Sequence, residues 1–243
     1  LDFRKLWSEI EDPRRRSIWP FLKECLANDG KLLEVGPGYL PKIPIESSSH
    51  FVDLDSRVVR RLGEAGGKAL VGNVEDLPYR SEVFDLVCAF EVLEHIEGDE
   101  KALSEIHRVL RWGGFFVFSV PLFEEYWSLF DKLAGHERRY HPLDLDLSLG
   151  RVGFRVERFL CPRNLYASMI ESKLLRPLVV SLRVFLALVE KKAPAFLLVL
   201  YKLFALSPLD QFKGVDRTPW EYGHLGEIKG CSEIIVVCRK CDC

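Results

Sequence analysis

Short apolar runs alternate with charged, helix-patterned stretches from Leu32 to Pro121, and that rhythm sets the fold class. LLEV (Leu32 to Val35), HFVDLD (His50 to Asp55), ALV (Ala69 to Val71), FDLVCAF (Phe84 to Phe90) and FFVFSVP (Phe115 to Pro121) each read as a strand. The fourth is apolar almost throughout, as a strand covered on both faces requires. Between them, Arg57 to Glu64 reads as a helix stopped by Gly66 and Gly67. A second helix, capped by Asp99 and running through Val109, puts Ala102, Leu103, Ile106 and Leu110 on one face before Gly113 and Gly114 end it. Strand and helix in alternation specify an α/β, doubly wound, Rossmann-like sheet. Its ligands sit outside the carboxyl ends of the strands, on one rim formed by the loops after Val35, Leu54, Val71, Phe90 and Val120.

The flanks follow a different pattern. Phe3, Leu6, Trp7 and Ile10 fall at helical spacing, as do Ile18, Phe21, Leu22, Cys25 and Leu26 beyond Pro13, so residues 1–30 read as a helical flank. Pro37, Pro41 and Pro44 crowd the place of the first crossover helix, where each interior proline costs about 3 kcal/mol, and that helix is expected to be short or absent. FRVERF (Phe154 to Phe159) reads as a sixth strand, closing a core over 31–163. Residues 164–228 form an apolar insertion with two helices, LLRPLVVSLRVFLALV and AFLLVLYKLFAL. Arg176, Arg183 and Pro194 deny either the ~20 uninterrupted residues of a membrane span. Such a surface suits a lid, a homodimer contact, or peripheral contact with a membrane or acyl chain. Residues 229–243 hold EIIVVCR (Glu233 to Arg239) as a last strand with a short tail.

Composition narrows the function classes. The 243 residues carry 34 Lys and Arg against 36 Asp and Glu, a net charge of -2 that gives no global footprint for nucleic acid. Seven cysteines are an odd number in a chain too long to need a disulfide framework, which reads as a reducing, cytoplasmic setting. LDFRKLWSEIEDPRRR has no apolar core of a signal peptide or membrane anchor.

The rim carries the chemistry. Glu34 closes the first strand, Gly36 and Gly38 permit a tight turn, and Asp53 and Asp55 follow at about the ~20-residue spacing at which an acid meets ribose hydroxyls. A pyrophosphate wants a third glycine and a helix N-terminus; Pro41 and a proline-broken continuation serve it poorly. A ligand with adenosine and ribose, but ammonium and sulfonium cations in place of phosphates, suits the same carboxylates.

In order, LLEVGPG, FVDLD, GNVEDLPY and the run from Phe84 to Pro121, FDLVCAFEVLEHIEGDEKALSEIHRVLRWGGFFVFSVP, resemble the class I S-adenosylmethionine-dependent methyltransferases of the small-molecule type. The resemblance covers Leu32 to about Phe159. It implies a seven-stranded sheet with the last strand antiparallel beside the fifth, S-adenosyl-L-methionine as cofactor, and S-adenosyl-L-homocysteine as product. By it, Glu34, Gly36 and Gly38 hold the methionine end, Asp53 or else Asp55 the ribose, and Asn73 with Val74 the adenine edge; Glu91 borders cofactor and acceptor alike. The family's third loop glycine is absent, and Asn73 stands where many relatives have Asp.

Methyl transfer is an in-line displacement served chiefly by alignment, with a base needed only for some acceptors. His136, His95 and Glu91 are the candidate catalytic groups, and His95 reads equally well as a residue that only positions a neighbour. Arg138, Tyr140 and Trp220 are the candidate acceptor contacts; in an extended GHERRYH segment His136, Arg138 and Tyr140 share one face. The histidines lack zinc-ligand spacing and CRKCDC lacks a paired second half, so no metal is implied. The expected activity is methyl transfer to a small-molecule or lipid-linked acceptor, with oxygen the favoured atom. The rivals are an NAD(P)-dependent oxidoreductase and a non-catalytic cofactor-fold binding module.

Overall fold

The computed structural model describes residues 18–26, 30–162 and 219–241, with positions 14, 172, 174–178, 180–182 and 185. The helix expected before Pro13 and most of the apolar insertion lie outside the described residues.

Helix α1, Trp19–Glu24, buries Phe21 and Leu22. Strands β1, Leu32–Val35, and β2, Ser49–Asp53, follow with no helix between them, as the prolines require. Next come α2, Ser56–Glu64, β3, Lys68–Val71, and β4, Phe84–Phe90. A 3-10 turn, Leu93–His95, leads to α3, Asp99–Val109, and β5, Leu110–Pro121. Short α4, Leu129–Ala134, and α5, Pro142–Val152, precede β6, Phe154–Leu160, and β7, Glu233–Lys240.

The seven strands form one sheet in the order β3-β2-β1-β4-β5-β7-β6. The first five run parallel, whereas β7 is antiparallel to both β5 and β6. Side-chain alternation divides the interior into two layers. Leu33, Val35, Val87, Ala89, Phe116 and Phe118 pack on one face with α3 and α5. Leu32, Leu86, Cys88, Phe90 and Val117 pack on the other with α1 and α2. Burial on both sides explains why β4 is apolar at every position but Asp85.

Three local expectations are corrected. Strand β2 stops at Asp53; Asp55 is instead the N-cap of α2, its carboxylate accepting the Arg57 amide at 2.8 Å. The cap position of α3 is Gly98, with Asp99 in the first turn. Gly113 and Gly114 do not precede the fifth strand but lie within it. Pairing jumps from Phe84 with Leu110 to Leu86 with Phe115, so the glycines form a bulge.

A fourth correction concerns the cysteines. Cys161 and Cys231 are disulfide-bonded, with Cα atoms 5.9 Å apart and 70 residues between them. They sit just after β6 and just before β7, at the base of the insertion, where no thiol pairing was expected. Among the described residues, no helix is long and apolar enough to cross a membrane.

Candidate active site

Strand order reverses at β1, which pairs with β2 on one side and β4 on the other. Crossovers leave that point in opposite directions, so a crevice opens beyond the strand ends. It is a groove of about 230 Å³, bordered by Val35 and Gly36 after β1, by Asp53 and Leu54 after β2, and by Gly72, Asn73 and Val74 after β3. Glu91, Val92, His95 and Ile96 after β4 complete it. Among the described residues, no lysine or arginine lines it. Two carboxylates, an amide and an imidazole face apolar walls.

Gly36 has φ +62°, and its amide donates to the Val52 carbonyl at 2.8 Å. A side chain there would place Cβ 2.7 Å from Val92, so only glycine lets the loops after β1 and β4 meet. Gly38 donates its amide to Asp53 Oδ2 at 3.0 Å, and Asp53 Oδ1 accepts from the Asp55 amide at 2.8 Å. Asp53 therefore joins the glycine turn to the β2 end while bordering the groove. Asp55 turns away from it and pairs with Arg57.

Glu34 has a different task from the one its strand-end position suggests. Without a first crossover helix, the amides of Lys42 and Ile43 lack helical acceptors; the buried Glu34 carboxylate accepts them at 2.9 and 3.1 Å. It braces the loop from beneath and is absent from the groove wall. Asn73 lines the groove, with its amide bonded to Glu75 at 3.0 Å, and Val74 is buried against the core.

Beyond β4, Glu91 takes φ +54°, an uncommon conformation for a non-glycine residue. Ser119 of β5 holds it there: the Ser119 hydroxyl donates to Glu91 Oε1 at 2.7 Å, and the Glu91 amide donates to the Ser119 carbonyl at 3.2 Å. Three residues on, Glu94 is fully buried, and among the described residues neither of its carboxyl oxygens has a hydrogen-bond partner. Burial, then the neighbouring Glu91 charge, pushes it well above the usual carboxylate range.

His95 Nδ1 lies 3.1 Å from the Gly135 carbonyl. Partial burial holds its pKa below the ordinary histidine value, against that hydrogen bond, and the ring is neutral at pH 7. The rings of His95 and His136 meet edge to face at 4.7 Å. His136 directs Nδ1 to Asp131 Oδ1 at 3.1 Å and Nε2 toward Glu94 Oε1 at 4.0 Å. Asp131 is itself buried and paired with Arg139 at 2.8 Å. Burial acts to raise its pKa, but the His136 bond, the Arg139 charge and the Ser128 hydroxyl outweigh it and hold the carboxyl low.

The three expected acceptor contacts are already engaged elsewhere. Tyr140 is buried, donates its hydroxyl to Asp99 at 2.8 Å, and is driven far above the ordinary phenol range by burial and that carboxylate. Arg138 bonds the Glu97 carbonyl at 2.6 Å and Asp99 at 3.3 Å. Trp220 stacks on Phe21 at 3.8 Å with the Arg158 guanidinium 5.2 Å above it, packed with the core layer on the far face of the sheet. Glu94 was missed by sequence reasoning. Its signal was a carboxylate inside the VLEHI turn, among Val92, Leu93 and Ile96 and next to His95, where a buried acid calls for a partner.

Residues 34–118 match the family model of the methyltransferase domain. The tRNA (carboxymethyluridine(34)-5-O)-methyltransferase of Arabidopsis thaliana is 30% identical over 115 residues, 44% of this chain and 28% of that protein. Ajmaline N-methyltransferase of Rauvolfia serpentina is 29% identical over 100 residues, 41% of this chain and 32% of that protein. The chain thus spans about a third of the length of these curated relatives. Over 94% of this chain and 91% of its own, an S-adenosylmethionine-dependent methyltransferase from Thermotoga maritima, a possible histamine N-methyltransferase, has the same fold, with TM-score 0.56 and 16% identity. The sheet order is that of the S-adenosylmethionine-dependent methyltransferase fold, its groove lies at the switch point, and residues 34–118 carry the match to the methyltransferase domain.

Proposed function

We propose that this chain transfers a methyl group from S-adenosylmethionine to an oxygen of a small or lipid-linked acceptor presented at the Glu91 and His95 end of the groove. The observation that carries the reading is the groove lining: two carboxylates and, among the described residues, no lysine or arginine, at the switch point of the sheet. Such a wall attracts an ammonium and a sulfonium and repels a pyrophosphate, which disfavours a nicotinamide dinucleotide.

The residues divide the work by position. Asp53, with two backbone amides already on its oxygens, offers remaining lone pairs to the ribose hydroxyls. Asn73 and Val74 border the adenine, and Gly36 and Gly38 give the methionine end close approach to backbone. Glu91 supplies the negative charge for the ammonium. When bound, the cofactor supplies an electrophilic methyl carbon on a sulfonium and leaves as S-adenosylhomocysteine. The chain's contribution is alignment of an acceptor oxygen in line with that carbon and removal of its proton. Neutral His95 is the group at the groove wall suited to take it. Glu91 is its alternative, and His136, one ring behind, orients His95.

Calorimetry with S-adenosylhomocysteine and NAD tests the reading. Binding of the former and not the latter is expected; NAD alone would point to an oxidoreductase, and neither ligand to a binding module. Asp53→Ala should weaken S-adenosylhomocysteine binding by roughly 10- to 150-fold, since a hydrogen bond to a charged group contributes about 1.5–3 kcal/mol. Unchanged affinity would remove Asp53 from the ribose site.

A lipid-linked acceptor is favoured by a specific surface. Leu174, Leu178 and Phe185, at the start of the insertion, are 85%, 64% and 54% exposed. Such a surface would rest against a membrane carrying the acceptor. Flotation with anionic liposomes tests this, and a chain that stays at the bottom of the gradient removes the membrane from the reading.

A further inference from the structure

One group of side chains at the end of the groove has a geometry that proton transfer does not account for. Glu94, His95 and His136 each bring one donor atom within 4.8 Å of the other two, although His136 enters from a loop some forty residues beyond His95. We propose that these three side chains bind a divalent transition-metal ion, with zinc the best fit, beside the acceptor end of the groove.

Three observations carry this. Glu94 is completely buried, yet among the described residues neither carboxyl oxygen has a hydrogen-bond partner, and one of them faces His136 Nε2 at 4.0 Å. A buried carboxyl group normally finds a hydrogen-bond partner or a cation, because leaving its polar atoms unsatisfied is costly. Next, both imidazoles have Nδ1 engaged by an oxygen, His95 by the Gly135 carbonyl and His136 by the Asp131 carboxylate, each at 3.1 Å. That arrangement puts the proton on Nδ1 and the lone pair on Nε2. Metal-binding histidines are held in the same way, and a carboxylate behind the ring raises its basicity. Asp131 is in turn fixed by Arg139 and Ser128, so the supporting shell is complete. Last, the donor set is two imidazoles and one carboxylate. That set suits zinc or cobalt rather than magnesium or calcium, which prefer all-oxygen shells. Three protein ligands leave a fourth position open, and His95 borders the groove, so this position faces the acceptor.

With ~2.1 Å bonds, tetrahedral ligands stand roughly 3.4 Å apart, so the observed separations close through small side-chain rotations. Glu91, beside Glu94 and on the groove wall, is placed to bond a water on the ion. If the methyl-transfer reading holds, an acceptor oxygen occupies the fourth position. An imidazole nitrogen that binds a cation cannot also take a proton, so metal occupancy decides between this role for His95 and that of a base.

The test uses the whole chain, treated with a chelator, dialysed, and titrated with Zn2+ by calorimetry and with Co2+ by visible absorption. One equivalent of each is expected, the cobalt form showing the intense absorption bands of a four-coordinate site with nitrogen ligands. Glu94→Gln and His95→Gln, two near-isosteric changes, should each weaken binding at least tenfold. Asp131→Asn should weaken it by roughly 10- to 100-fold through His136, and Cys241→Ser should leave it unchanged. Circular dichroism of each variant separates lost ligands from lost fold, and the wild-type cobalt spectrum stands without any variant. No stoichiometric uptake, a cobalt spectrum of six oxygen ligands, or full binding by Glu94→Gln and His95→Gln would each overturn the site, as would loss of binding in Cys241→Ser. S-adenosylhomocysteine affinity of the same samples, measured without metal, reports on the cofactor reading separately. Zinc uptake without cofactor binding would retain the metal site and refute methyl transfer.

Discussion

Replacing Gly36 with alanine tests the contact on which the groove is built. At φ +62° an alanine pays the left-handed penalty of about 1–2 kcal/mol. Its Cβ would also stand 2.7 Å from Val92 Cγ2. Val92 is β-branched and stiff at χ1, so it cannot swing clear, and overpacking of this kind costs about 1–3 kcal/mol. The two contributions together predict a loss of roughly 2–5 kcal/mol. Gly38→Ala is the internal control, since φ there is +55° but nothing lies within 4 Å of the added carbon; only the backbone penalty of about 1–2 kcal/mol should appear. Val92→Ala placed on Gly36→Ala removes the clash and keeps the backbone penalty. Urea unfolding followed by circular dichroism, on wild type, Gly36→Ala, Val92→Ala and the double variant at unchanged m, gives the coupling energy between positions 36 and 92. The double variant should be more stable than the sum of the singles by about 1–3 kcal/mol. Strict additivity, within ~0.5 kcal/mol, would refute the close approach of these loops.

Four further outcomes follow from the same geometry. Asp55→Ala should cost about 0.5–2 kcal/mol through the lost cap on α2 and leave S-adenosylhomocysteine affinity unchanged, in contrast to Asp53→Ala; thermal melts and calorimetry on both variants check this. Asp131→Asn should destabilise by about 3–5 kcal/mol, because it leaves the Arg139 guanidinium buried without its partner. The folded-state pKa of Asp131 lies below its ordinary 3.8, so its contribution is complete above that value and is lost as pH falls through the folded-state pKa. Acid unfolding of wild type should therefore be steeper below pH 3.8 than that of Asp131→Asn. His50 is held below 6.5 by burial and then by the Lys68 and Lys31 charges. The unfolded chain binds more protons there, so stability should rise with pH up to about 6.5, and His50→Gln should flatten that part of the profile. Thiol titration in denaturant should find five of the seven cysteines before reduction and all seven after it, given one disulfide.

The sheet was legible in the residues because its signals are local. Each strand announces itself within a handful of positions, and the Phe84–Phe90 run predicts both its bounds and its double burial. The absent first helix was equally legible, since prolines act on their own turn. The destinations of polar side chains were not, because they are settled by partners far along the chain. Tyr140 and Arg138 share a face as their two-residue spacing predicts, but Asp99 waits on that face in place of an acceptor. Glu34 looks like a ligand-facing acid until the amides of Lys42 and Ile43 claim it. Asp53 and Asp55 differ by one pleat repeat, and only the Gly72 amide on the Asp53 carbonyl shows where the strand stops pairing. The Cys161–Cys231 connection was hidden for another reason: with seven cysteines, pairing cannot be deduced from spacing.

The base of the insertion has a consequence for how this fold can vary. Phe159 and Glu221 exchange two backbone hydrogen bonds, at 2.8 and 2.9 Å, and the disulfide ties Cys161 to Cys231 close by. The chain thus leaves the sheet and re-enters it through neighbouring doors that are fastened together. The two ends of the insertion are thereby held at one place beside β6 and β7, whatever length of chain runs between them. The fastening lies beside β6 and β7, at the opposite side of the sheet order from β3, and the ligand groove opens at β1.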